Sequence, residues 1–267
     1  MAQWRIEACT VDDAEGVARN TAGAFWEEPM WRLQWTNDIT QDFLTEQLIK
    51  LQPLRLLRDR DALRHQKAVD AKSGKLVGYA RWRLREGRTA TTSPNTPASE
   101  PEWAEAQMPD VGADRRQTLD AAAAAAWWDP RTDVDELDTD NDAVRRRVIG
   151  DRPYLGKPLL RLSIYLSILI YLPLLTRHVH RGLPELELLA VHPLNQGKGI
   201  ATSLVESGIR QAEHMGLPVL AIAYKAARGV YQQLGFVEVD RIIKDDSAYG
   251  GRGEYSWYFM LYDVPNK

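Results

Sequence analysis

Cysteine is almost missing from this 267-residue chain, with Cys9 the single example. One thiol closes no intramolecular disulfide and builds no multi-cysteine zinc site. Gly (18) and Pro (14) stay near average usage, which excludes a collagen-like, repetitive or wholly disordered chain. No charge sign dominates either. Lys plus Arg (34) against Asp plus Glu (37) leaves a net charge of -3, so there is no general electrostatic drive toward nucleic acid. The first residues lack the basic start and apolar core of a secretory leader, and the last carry no lipidation motif. The longest uncharged apolar run, Leu162 to Leu175, contains Pro173 and is bracketed by Arg161 and Arg177. It falls short of the ~20 residues that a membrane-crossing helix needs. The expectation is a soluble, cytoplasmic protein with no nucleic-acid partner, membrane association disfavoured and a homodimer possible in principle. What remains is ordinary globular material, 44% apolar and 27% charged, and the length sets a prior just under two domains.

Hydrophobic periodicity orders the N-terminal part. Residues 3–10 read as a short strand with Trp4, Ile6 and Ala8 on one face. Asp12 or Asp13 can cap the helix that follows. In that helix Ala14, Val17, Ala18, Thr21, Ala22 and Phe25 form one stripe. A tryptophan-rich bend (Trp26, Trp31, Trp35) precedes a helix from about Thr40, which Pro53 should break or bend. Residues 65–84 read as a hairpin around Ser73-Gly74. Residues 86–108 read as loop or disorder. Residues 114–128, with their alanine run, read as helical. From 133 to 149 an acidic block (Asp133, Asp135, Glu136, Asp138, Asp140, Asp142) precedes Arg145, Arg146 and Arg147, an order that suits a solvated helix and its dipole.

The pattern is cleanest from 184 onward. PELELLAVHP reads as a strand and QGKG as a tight glycine loop. Residues 199–214 form an amphipathic helix with Ala201, Leu204, Val205, Gly208, Ile209 and Ala212 on its stripe. LPVLAIAY, FVEVDRII and EYSWYFMLYDV read as further strands, with AARGVYQQL as a short helix between the first two. Strand–helix alternation with one apolar face per helix predicts an α/β layered domain. A glycine-bearing turn feeding a helix N-terminus leaves backbone N–H groups directed outward, which suits an anion such as phosphate. The loop is neither a P-loop, since GxxxxGK[ST] is missing, nor a dinucleotide fingerprint, since the third glycine is missing.

In its context, Val191-x-Pro193-x-x-Gln196-x-x-Gly199-x-Ala201 resembles motif A of the GCN5-related N-acetyltransferases, the GNAT superfamily. Tyr231-x-x-x-Gly235-Phe236 resembles that family's later helix-to-strand signature. AFWEEPMW and LAVHP further resemble fungal, small-molecule-type members. The resemblance covers about 3–84 and 184–263. It implies a mixed, mostly antiparallel central sheet flanked by helices, interrupted here by a long central insertion. It also implies acetyl-CoA as co-substrate and no metal. Backbone groups of Leu189, Ala190 and Val191 would pair with pantetheine, and N–H groups of Gln196, Gly197, Lys198, Gly199, Ile200 and Ala201 would hold the pyrophosphate. An asparagine found in many members is absent from Tyr224 to Arg228, and Arg228 is a substitute candidate.

Acetyl transfer to an amine needs a neutral nitrogen, a stabilised oxyanion and a proton for the leaving thiolate. By the resemblance, Tyr231 is the general acid. Glu185 matches the position of a catalytic glutamate in the histone-acetylating branch. Glu187 lies on the same strand face and is the alternate if a bulge shifts the register. A backbone N–H near Leu189 or Val191 would polarise the thioester. The acceptor implied is a small-molecule or peptide amine, attacking directly in a ternary complex. A non-catalytic CoA-binding or interaction protein with the same fold is the alternative. His178, His180 and His192 read as solvated, because no acidic or cysteine partner sits at ligand spacing. Cys9 reads as core, and Trp26, Trp31 and Trp35 as core or acceptor-pocket wall.

The length is thereby reassigned. Residues 1–267 read as one acetyltransferase-like domain, with core 3–84 and 184–263 and insertion 85–183. Within the insertion 156–184 is anomalous, and three readings stay open: genuine protein, a membrane-associated segment, or translated intron. Joining DRPYL to ELELLAVHP by deletion gives the arrangement usual for the family. Transcripts decide the matter. The intron reading expects reads that splice out 156–184, and uniformly unspliced reads exclude it.

Overall fold

The computed structural model describes residues 4–84, 107–138, 140–149 and 185–264. All but the last two residues of the loop read at 86–108, and the apolar run with His178 and His180, lie outside the described residues. Seven strands form one sheet: β1 (Trp4–Ala8), β2 (Leu63–Asp70), β3 (Leu76–Arg83), β4 (Glu185–Ala190), β5 (Val219–Ala223), β6 (Val237–Asp245) and β7 (Glu254–Tyr262). Their order is β1-β2-β3-β4-β5-β7-β6. Every pairing is antiparallel except β4 with β5. The helices are α1 (Ala14–Phe25), α2 (Pro29–Leu33), α3 (Gln41–Leu56), α4 (Ala113–Ala124), α5 (Asn141–Ile149), α6 (Ile200–Met215) and α7 (Lys225–Gln233). This is the mixed α/β sheet that the sequence led us to expect.

One face of the sheet packs against α6 and α7. Leu204, Val205, Ile209 and Ala212 of α6 meet Ala80, Trp82, Leu186 and Val219 there. The close approach rests on two glycines. A methyl group at Gly78 would lie 2.5 Å from Ile200, and one at Gly208 would lie 2.0 Å from the Trp82 ring. The polar positions of this helix are also engaged. Trp82 Nε1 donates to Gln66, whose amide donates to Ser207 Oγ at 3.0 Å, so a buried chain of hydrogen bonds ties β3 and β2 to α6. The opposite face is covered by α1 and α3, with Val17, Leu56 and Leu57 packed around Tyr79.

Several local expectations are corrected. Neither Asp12 nor Asp13 caps α1 from its side chain. A 3-10 turn, Val11–Asp13, precedes the helix, and the Asp13 carboxylate reaches back to accept from Thr10 N at 2.7 Å. Pro53 does not end α3, which runs on to Leu56. Sitting in the last turn, the proline removes one N–H bond near an end that frays anyway. Met108 is fully buried among Cys9, Val17 and Leu57, and its carbonyl accepts from Arg60 Nε at 2.7 Å. Helix α4 stops at Ala124, leaving Trp127 and Trp128 free to pack on Trp35. Nor is the basic end of α5 simply solvated. Arg145 is largely buried and pairs with Glu185 at 2.8 Å. The described parts of 107–149 pack on the sheet and on α2: Val134 and Leu137 meet Met30, Leu33 and Trp257, and Val144 meets Ile242 and Phe259.

Replacing Gly208 by Ala forces a methyl group into the Trp82 ring. Overpacking of this kind costs about 1–3 kcal/mol. Urea unfolding of Gly208→Ala is expected to show that loss with an unchanged m-value.

Candidate functional site

The sheet opens at its parallel junction. Strands β4 and β5 pair only at Glu185–Leu220 and Leu186–Ala221. Beyond that, Ile222 and Ala223 of β5 pair with β7 alone. At the same level β4 is irregular: Leu186 pairs with Trp82 and Leu188 with Arg81, leaving Glu187 as the bulged residue. A bulge increases local twist and re-aims the strand, so Leu189 to Val191 run on without pairing to β5. The side chain of Asn20 fixes this end from α1. Its Nδ2 donates to Ala190 O at 2.8 Å, and its Oδ1 accepts from His192 N at 3.0 Å. Because backbone groups alternate along a strand, those of Leu189 and Val191 are directed to the other edge. Gln196 Nε2 donates to Val191 O at 3.1 Å and closes the turn.

The glycine loop then enters α6. Gly197 (φ 72°) and Gly199 (φ 80°) are left-handed, which costs an L side chain roughly 1–2 kcal/mol. Gly199 stands at the helix N-cap position, and Ile200 to Ser203 form the first turn, whose leading N–H groups have no partner within the helix. Trp4 lies beneath Gly199, with its Nε1 donating to Ser203 Oγ at 3.0 Å. The open loop, the helix N-terminus and the splayed strand are contiguous in chain and space. Lys198 turns back on its own loop, donating to Leu194 O at 2.9 Å and to Asn195 Oδ1 at 3.0 Å. Arg228 is engaged elsewhere, paired with Glu238 at 2.8 Å and stacked over Tyr258. His192, read above as solvated, is half-buried against Gly23, and its Nδ1 accepts from Leu194 N at 3.3 Å.

Tyr231 projects from α7 into the core beside Phe236, at 5.3 Å between ring centroids. Burial alone pushes its hydroxyl above the usual phenol range, so it stays protonated at neutral pH. Glu185 and Glu187 lie on the face opposite α6, together with arginines. Glu185 is buried against Arg145. Glu187 pairs with Arg83 and, at 3.0 Å, with Arg81. Burial would raise Glu187, but Arg83 and then Arg81 outweigh it and hold the carboxyl down to about 2. A carboxylate so compensated is a poor proton acceptor near neutrality.

One acidic residue escaped the sequence reading. Glu28 lies in the bend between α1 and α2, and burial pushes it up to about 7. Its neighbours Glu27 and Pro29 line an open cleft of about 300 Å³, walled by Trp26, Trp35 and Arg32 on one side and Tyr249 to Arg252 on the other. Helix α2 carries this bend to the end of β5, with Met30 and Leu33 packed among Ile222, Tyr224 and Trp257. The available signal was two carboxylates inside the apolar string AFWEEPMW, where one at least had to lose water. Trp31 is buried, whereas Trp26 and Trp35 also wall the cleft. Arg131 stitches its sides, donating to Tyr249 O at 3.1 Å and pairing with Asp133. No cluster of potential metal ligands occurs among the described residues. Cys9 is buried, as read, with its thiol pushed up by desolvation. No helix among the described residues is long and apolar enough to cross a membrane.

Comparison with known proteins is consistent with this geometry. Residues 176–248 match the family described as Acetyltransferase (GNAT) domain. The chain is 38% identical over 77 residues to the mycothiol acetyltransferase of Streptomyces avermitilis, covering 26% of this chain and 25% of that protein. It thus spans about a quarter of the curated relative. Among solved structures, a Corynebacterium glutamicum protein titled histone acetyltransferase HPA2 and related acetyltransferase superposes with a TM-score of 0.52 at 15% identity. The match covers 100% of this chain and 99% of that one. A mosquito protein from Aedes aegypti, titled as arylalkylamine N-acetyltransferase 7, gives 0.53 at 14% identity, covering 98% and 88%.

Glu187→Gln leaves Arg81 and Arg83 without their shared carboxylate. Breaking a buried pair on one side costs about 3–5 kcal/mol, readable by urea unfolding at pH 7. Because the folded carboxyl is depressed, its contribution is complete above the ordinary glutamate value of 4.5 and is lost as pH falls toward about 2. The variant is therefore expected to show a smaller loss of stability on acidification than the wild type.

Proposed function

Because the chain belongs to the GNAT superfamily of acetyltransferases, we propose that it transfers the acetyl group of acetyl-CoA to the amine of a small molecule or peptide, by direct attack in a ternary complex. The observation that carries this reading is the divergence of β4 from β5 directly ahead of the left-handed glycine loop and the α6 N-terminus. In this reading Leu189 and Val191 form the pantetheine edge, while Ala190 between them is turned to Asn20. The N–H groups from Gln196 through Gly197, Lys198, Gly199 and Ile200 to Ala201 take the pyrophosphate, aided by the helix dipole. A free backbone N–H at Leu189 or Val191 polarises the thioester carbonyl. The amine nitrogen attacks that carbon, the C–S bond breaks, and the thiolate takes the Tyr231 proton. Tyr231 suits the donor role because desolvation keeps it protonated.

For the base, the two strand glutamates are weaker candidates than Glu28. Glu185 and Glu187 are each engaged by arginine, whereas Glu28 is raised to about 7 beside the cleft. A carboxylate with that value is poised near neutral pH to accept the proton that the amine nitrogen loses as it attacks.

Tyr231→Phe is expected to lower kcat by about 10²–10⁴-fold with the KM for acetyl-CoA little changed, in a thiol-release assay over an amine panel. In the wild type, kcat/KM rises with pH through about 7 as Glu28 ionises, and Glu28→Gln removes that limb. Protection by acetyl-CoA in a melting assay, with no turnover of any amine and no effect of Tyr231→Phe, would favour the non-catalytic CoA-binding alternative.

A further inference from the structure

Arg55, in the last turn of α3, is a half-buried cation whose guanidinium has an unmet demand. Its Nε and Nη2 are cut off from solvent and have no hydrogen-bond acceptor among the described residues. The Trp128 ring covers the guanidinium at 4.8 Å. Burying a guanidinium without a counter-charge is expensive enough that native structures normally pair it. Glu187, the carboxylate on this face of the bulge, is already shared by Arg81 and Arg83. Burial and the neighbouring Arg81 cation push Arg55 down to about 9, the mark of a site that would gain from an anion.

Position gives this demand a meaning. Leu56 packs with Tyr79 and Leu188, and in the sheet Tyr79 pairs with Ala190 and Arg81 with Leu188. Arg55 thus stands over the face of β4 opposite α6, level with the bulge and the splayed residues. Its Trp128 lid meets Trp35 edge-on at 4.8 Å, and Trp35 walls the open cleft. A tryptophan pair is therefore the shared partition between the cleft and the guanidinium.

We propose that Arg55 anchors a carboxylate carried by the acceptor, so that the acetylated amine belongs to an amino-acid-like molecule. This rests on the acetyl-transfer reading above and names its substrate class. A guanidinium fork matches a carboxylate through two parallel, charge-assisted N–H bonds, and the shielded Nε and Nη2 are such a pair. The orientation it imposes would hold the amine of the same molecule at a fixed distance from the anchored end.

The test uses the full-length protein, acetyl-CoA, and the protein amino acids each paired with its own carboxamide. For at least one pair the wild type is expected to prefer the acid by about 30-fold or more in kcat/KM. Arg55→Met brings that ratio near one by lowering the acid alone, and Arg55→Lys falls between. Arg55→Met is expected to melt no lower than the wild type, because it removes an uncompensated buried charge. A second readout needs no turnover: the matching des-amino carboxylic acids, titrated by tryptophan fluorescence, bind the wild type and not Arg55→Met. Arg55-dependent acid binding with no amine acetylated sustains the subsite and removes the transfer reading. Acetylation without carboxylate preference, or an equal ratio in wild type and Arg55→Met, overturns the subsite and leaves transfer standing. No Arg55-dependent binding of any acid overturns it as well.

Discussion

Two backbone pairs, Glu185–Leu220 and Leu186–Ala221, join the two halves of the sheet. On one side lie β1 to β4, and on the other β5, β7 and β6. A parallel ladder this short is a weak seam by hydrogen bonding alone, so the halves depend on the layers across it. Helix α6 spans the seam on one face through Leu204, Val205, Ile209 and Ala212. On the other face Arg145 of α5 engages Glu185, the residue at the seam itself. Shortness is also what creates the site. Had the ladder continued past Leu186, the edge of Leu189 to Val191 would pair with β5 and offer nothing to a ligand.

Much of this was legible in the residues, for reasons that differ along the chain. The α6 stripe was readable because one apolar face of a 3.6-residue period was interrupted only by Ser207 and Gln211. Those two are buried without being apolar, and Ser207 is satisfied only by a Gln66 amide distant in sequence. The glycine loop was readable because two left-handed positions leave few residue choices. A bulge at Glu187 is legible as a register alternative, but the arginines of the strand glutamates are not: Arg81 and Arg83, which take Glu187, and Arg145, which takes Glu185, come from two separate segments. Charge compensation is a tertiary fact. The same holds for Arg145, whose acid-then-base context reads as a solvated helix while the fold turns it inward. Glu28 was hidden because its loss of water depends on how the tryptophan bend packs, which the string AFWEEPMW does not disclose.

The insertion is more than a tether between two family halves. Its described residues supply Trp127 and Trp128 to the Trp35 cluster, Arg131 to the cleft walls and Arg145 to the seam. A segment that arrived as surplus length thus furnishes side chains to the cleft and the seam, and none of its described residues bonds to the glycine loop. Variation there can alter the walls of the cleft while leaving the glycine loop and the α6 N-terminus untouched.

Asn20 gives the molecule a mechanical property. Its one amide group presents a donor to Ala190 O and an acceptor to His192 N, the pattern that a neighbouring strand would offer. A helix side chain thereby stands in for a peptide bond, and α1 becomes an honorary member of the sheet at the point where β4 loses its partner. The far end of the same helix leads into the bend that holds Glu28. The rim of the cleft and the free end of β4 are in this way two ends of one lever, and displacing either should be felt at the other.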